Sequence, residues 1–145
     1  MFKLPRIALP IRCLADNLPM EKVTAAALAR AVETLQAASP RQPCSCALGA
    51  CKGWESFTES RWPAALVRTI GTLRGDAYEP TLDEHHPRGT RYVSPDAPIA
   101  VDFYPYNRCD AFACGTCRRV LLRYTEFGGY YVDHRVREAN AALIV

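Results

Sequence analysis

The sequence lacks any apolar run long enough to cross a bilayer, has only three lysines, and contains no block of like charge. A membrane helix needs about 18 consecutive apolar residues. The most apolar stretch, MFKLPRIALPIRCLADNLP, is interrupted by Pro5 and Pro10 and leaves no continuous core for a signal peptide. The expectation is a cytoplasmic protein with no membrane association. The other fifteen of its eighteen basic residues are arginines, scattered so that Arg118-Arg119 is the only adjacent pair. Nucleic-acid binding normally leaves a basic stripe or cluster, so nucleic acid is not the expected partner. There is no HExxH helix, no phosphate-cradling glycine loop and no nucleophile elbow. Asp133-His134 has the residue types of an acid–base pair, but neighbours on a strand face opposite ways.

What is present fits one domain, 1–145. A chain of 145 residues with 49% hydrophobic and 23% charged residues and a net charge of +3 can bury a core without cross-links. Met20 to Ala38 is rich in good helix formers, with Leu28, Val32 and Leu35 at helical spacing and Val23 and Ala27 widening the stripe. Asn17 and Pro19 supply a helix start, and Ser39-Pro40 a stop. Residues 1–19 read as an extended arm. Leu66–Arg74 is rich in β-branched residues and reads as a strand rather than a helix. Short strands are expected at Thr90–Val93 and Ile99–Tyr104. Val120–Glu126 and Tyr130–Val136 form a hairpin around Gly128-Gly129, a two-residue turn that accepts positive φ. The fold class is α+β: one N-terminal helix packed on an antiparallel sheet of four to five strands, with a zinc-bound cysteine-rich loop.

Seven cysteines is an odd number, and six of them fall in two tight groups. In a reducing compartment that pattern points to metal or redox chemistry rather than disulfides. Cys13 stands alone and reads as a small buried hydrophobe. Cys109, Cys114 and Cys117 form a C-x4-C-x2-C group able to converge on one ion, with Zn²⁺ the expected cofactor. Arg118 and Arg119 beside it favour thiolate over thiol.

Tetrahedral zinc needs a fourth ligand. His134 lies too far along its hairpin to supply it. The candidates are His86, beside His85 in a Pro-Arg-Gly turn, or one of the upstream cysteines Cys44, Cys46 and Cys51; two separate ions are a third arrangement. Trp54, Phe57 and Trp62 are expected to pin the 39–53 loop to the core. The C-x4-C-x2-C spacing also resembles the cluster loop of plant-type [2Fe–2S] ferredoxins, which implies an Fe–S cluster as the alternative cofactor. Against it, no cysteine follows Cys117, and Phe112 is bulky where that loop tends to carry glycine. A thioredoxin-like reading of Cys114-Gly-Thr-Cys117 wants the first cysteine at a helix N-terminus, whereas here a strand follows.

The segment YNRCDAFACGTCRRVLLRYTEFGGYYVDHRVR resembles the C-terminal part of a group of small bacterial proteins that share a CDxxxCxxC loop followed by an LRYTExGGYY hairpin. In those proteins a His-Pro-x-Gly segment like His86–Gly89 often precedes the loop. Their size and style are similar to immunity proteins paired with secreted bacterial toxins. The cysteine groups, the absence of a catalytic set, the mild charge and the single-domain size give the expectation of a zinc-stabilised binding protein whose partner is another protein, and the resemblance implies a cognate toxin domain as that partner. The competing expectation is a metalloenzyme or redox protein that uses the Cys109, Cys114 and Cys117 cluster.

Overall fold

The computed structural model describes residues 20–37, 46 and 48–145. The expected arm, the Asn17–Pro19 helix start, Cys13 and Cys44 lie outside the described residues. Among those described, the regular structure is one α-helix, α1 (Ala25–Ala37), two 3₁₀ turns, Tyr106–Arg108 and Ala141–Leu143, and five strands: β1 (Glu55–Phe57), β2 (Val67–Thr72), β3 (Asp110–Cys114), β4 (Val120–Phe127) and β5 (Val132–Glu138). The strands form one antiparallel sheet in the order β1-β5-β4-β3-β2. One helix against a five-stranded antiparallel sheet is the expected architecture.

The helix begins later than its composition suggests. Thr24 caps it, its Oγ1 accepting from the Ala27 N–H at 3.1 Å. Residues 20–24 instead run beside β2: Val23 N–H donates to Thr72 O at 2.8 Å, and Thr72 N–H to Glu21 O at 2.9 Å. This crossing explains the glycine inside β2, because a Cβ on Gly71 would sit 2.4 Å from Val23 Cγ2 and 2.6 Å from Glu21 O.

Alternation along the strands divides the sheet into two covered faces. On the first, Val120, Leu122 and Tyr124 of β4 pack with Cys109 and Ala111, under Leu28 and Val32 of α1. On the second, Leu121, Val136, Cys114 and Phe57 pack with Cys46, Leu48, Cys51, Cys117 and Trp62. Phe57 and Trp62 thus anchor the cysteine loop as expected. Trp54 does not: it joins the first face, edge-on to Tyr124 with ring centroids 5.0 Å apart.

Two expected strands are absent. Residues 90–93 and 99–104 form turns and no strand; the pairing there is the isolated bridge Ile99↔Ile144, with Ile99 N–H donating to Leu143 O, Val145 N–H to Ile99 O and Val101 N–H to Val145 O. Pro95, Pro98 and the turn-forming residues around them interrupt any longer pairing, so β-branched content alone misleads. The hairpin turn also differs. Phe127 pairs with Val132, so the connection is four residues, 128–131, closed by Gly128 N–H to Tyr131 O at 2.9 Å. Tyr130 and Tyr131 stand in solvent rather than in β5. The register moves by two residues, which leaves every side chain on its expected face.

Because both faces are covered, adjacent β4 residues are both core. Leu121→Ala and Leu122→Ala should each cost about 2–5 kcal/mol in urea denaturation. A sheet covered on one face only would leave one of the two nearly neutral.

Candidate metal centre

The site forms where β3 turns into β4. Cys114 ends β3 on the second face, and the chain reverses through Gly115-Thr116-Cys117-Arg118. Arg118 N–H donates to Cys114 O at 3.0 Å, and Cys114 N–H to Arg119 O at 2.9 Å. Arg118 takes the left-handed conformation, φ +61°, that closes so short a reversal. Gly115 N–H is tied to Leu66 O at 2.9 Å, which fixes the turn against the start of β2. Cys117 is thereby folded back toward Cys114.

Cys46 arrives from the loop that covers this face. The sulfurs of Cys46, Cys114 and Cys117 lie within 4.8 Å of one another, and all three residues are buried. Three thiolates can hold a metal ion here. Zn–S bonds of about 2.3 Å place tetrahedral sulfurs roughly 3.8 Å apart, so small side-chain rotations suffice to close the cluster. Sulfur donors suit soft and borderline cations, Zn²⁺, Cu⁺ and iron among them.

Among the described residues of the loop that delivers Cys46, 46 and 48–53, none belongs to a strand. Arg119 holds the loop instead: Nη1 and Nη2 donate to Gly49 O and Ala50 O, each at 2.6 Å, while Nε donates to Glu138 at 3.1 Å. Glu138 N–H adds a bond to Cys51 O at 2.7 Å. Arg119 therefore serves structure, a role that goes beyond a charge favouring thiolate.

The other expected ligands stand elsewhere. Cys109 is not part of the cluster. It precedes β3 by one residue, and the five-residue step to Cys114 is extended strand, about 17 Å long. Five is odd, so the two side chains also leave opposite faces of the sheet. Cys109 is wholly buried in the first core and donates to Pro105 O at 3.3 Å. Burial, with Asp110 nearby, pushes its thiol well above the ordinary value. The ferredoxin-type loop fails for the same reason, since its cysteines must face one cluster. The odd spacing of Cys109 and Cys114 was the signal available in the sequence, although DAFAC, with Asp and two Ala, has little strand propensity to reveal it.

Cys51 lies near the cluster without joining it. Its thiol donates to Leu48 O at 2.9 Å, and burial followed by the Glu55 carboxylate pushes it up to about 12. What separates it from the cluster is position, since the three converging sulfurs are those of Cys46, Cys114 and Cys117. His86 has both ring nitrogens engaged, Nδ1 with Thr90 Oγ1 at 2.8 Å and Nε2 with Glu84 at 2.9 Å, and it stays outside the cysteine group. His85 stacks on Phe103. His134 stays apart as expected, meeting Glu59 and Thr125 at 3.1 Å. Asp133 turns to the opposite face, accepting from Ser56 and Arg135.

No family model, curated protein or solved structure matches this chain.

The geometry predicts a sharp division among the cysteines. Measured by elemental analysis, Cys46→Ser, Cys114→Ser and Cys117→Ser should each lower bound metal severalfold, while Cys109→Ala and Cys51→Ala keep it. Equal loss in Cys109→Ala would contradict the assignment. The raised Cys51 thiol also favours the fold at full strength below pH 9 and progressively less as pH rises toward 12. Cys51→Ala should accordingly flatten the decline in stability between those values, followed by urea denaturation at each pH.

Proposed function

We propose that this chain is a zinc-stapled binding protein that engages another protein, of the kind that neutralises a bacterial toxin domain. The observation that carries the proposal is the buried group of three thiols where the covering loop meets the sheet. Zn²⁺ suits such a site because it accepts all-sulfur or mixed donors without a redox requirement. The sequence offers Cys44, two residues before Cys46, as a fourth donor. A cysteine-rich site buried in this way serves the fold by fixing the covering loop to the sheet.

Support for a protein partner comes from the β4–β5 hairpin. Phe127, Tyr130, Tyr131 and Val132 are all exposed within six consecutive positions, with Phe127 at 80%. Contiguous exposed apolar and aromatic side chains mark association surfaces, and tyrosine is among the residues enriched there. The resemblance to small immunity-type proteins points the same way. That likeness rests on the loop and hairpin that hold Cys114, Cys117 and this tip.

Two measurements test the proposal. The purified protein should contain one equivalent of zinc, and a strong chelator should lower its melting temperature by several degrees. It should also form a stable complex with the product of the adjacent gene on size-exclusion chromatography. Phe127→Ser combined with Tyr130→Ser should abolish that complex without changing zinc content. A protein free of zinc, or one indifferent to its neighbour's product, overturns the reading.

A further inference from the structure

The sheet has an open notch. β4 pairs with β5 along its length to Phe127↔Val132, yet its pairing with β3 stops at Asp110↔Arg123. Just before Asp110 the chain leaves the sheet in a 3₁₀ turn, Tyr106–Arg108, with Arg108 N–H donating to Pro105 O and Cys109 N–H to Tyr106 O. The last four residues of β4 are thus flanked by a strand on one side only.

The hydrogen-bonding phase shows which groups this exposes. Cys114 N–H donates to Arg119 O, so odd-numbered residues of β4 turn their backbone groups toward β3. Ala139 N–H donates to Val120 O, which places the even-numbered ones toward β5. Continued past Arg123, the alternation aims the N–H and C=O of Thr125 and Phe127 into the notch.

The notch opens into a groove of about 670 Å³. Leu82, Tyr104 and Phe127 give it an apolar wall, and Arg74, Arg108 and Arg123 a basic one. Two carboxylates also line it. Asp110 is engaged by Arg74 at 3.1 and 3.2 Å, and Glu126 by Arg135 at 3.4 Å. Arg123 is paired with Glu59. Arg108 has no carboxylate partner among the described residues; its Nη2 donates to Pro80 O at 3.1 Å.

We propose that this groove binds an extended acidic segment of a partner protein, which adds to the edge of β4 at Thr125 and Phe127 and places a carboxylate on Arg108. Strand addition supplies main-chain hydrogen bonds, and the side pockets supply selectivity. The chain's own residues 1–19 are a poor match in charge, carrying Lys3, Arg6 and Arg12 against Asp16 alone. The proposal rests on reading this chain as a protein-binding domain and specifies how the contact is made.

A displayed library of random linear seven-residue peptides provides the probe, selected against the intact, metal-replete protein. Selected peptides should be enriched in Asp or Glu flanked by β-branched or aromatic residues. The best of them should slow hydrogen exchange at the Thr125 and Phe127 amides. Its affinity should fall at least tenfold in Thr125→Pro, which removes the edge N–H, and severalfold in Arg108→Met, which keeps that N–H and serves if the proline variant misfolds. No enrichment, enrichment without acidic residues, protection elsewhere, or full affinity in Arg108→Met overturns the proposal. So does concentration-dependent self-association that occupies the same two amides. A complex with the adjacent gene product that survives any of these results leaves the binding function standing and removes only this mode of contact.

Discussion

A sheet that buries both of its faces needs a cover on each, and here the two covers differ in kind. The first is α1 with the turns around Ile99 and Ala141, built from ordinary apolar packing. The second is a loop whose described residues, 46 and 48–53, lie outside any strand and are fastened largely by side chains. Fastening falls to the Arg119 guanidinium and to the convergence of Cys46, Cys114 and Cys117. Arg119 and Glu138 form a largely buried pair, and removing one partner of such a pair typically costs about 3–5 kcal/mol. A metal bound across the junction would add its binding energy to the folded state alone.

The cysteines show how local environment sorts one residue type into separate tasks. Cys109 and Cys51 are buried beside carboxylates and donate to backbone carbonyls, so burial and charge both keep them protonated. Cys46, Cys114 and Cys117 face each other across a turn and a loop. The cysteine group thus lies at one end of the β3–β4–β5 meander, and the exposed aromatic tip and the half-open edge of β4 lie at the other.

Much of the fold was legible in the sequence because its strongest signals are periodic. The Leu28–Val32–Leu35 spacing, the β-branched run at Val67–Thr72 and the two halves of the last hairpin all formed as their patterns suggest. Less periodic stretches misled. β-branched residues around 90–93 and 99–104 lie between prolines that forbid a ladder, and Gly128-Gly129 became part of a four-residue connection. Cys114 and Cys117 were legible as cluster members because a turn lies between them. Cys109 was misassigned because its five-residue separation from Cys114 was read as loop when it is mainly strand. The choice of Cys46 among the upstream cysteines depends on how the loop lies over Leu121 and Val136, and no local pattern encodes that contact.

Central to this account is a single cation held by sulfur from two distant segments of the chain. X-ray absorption at the zinc edge of the purified protein measures that shell directly. The account predicts a tetrahedral first shell containing at least three sulfurs at about 2.3 Å. A shell made only of nitrogen and oxygen, or a folded protein with no zinc to measure, would contradict it.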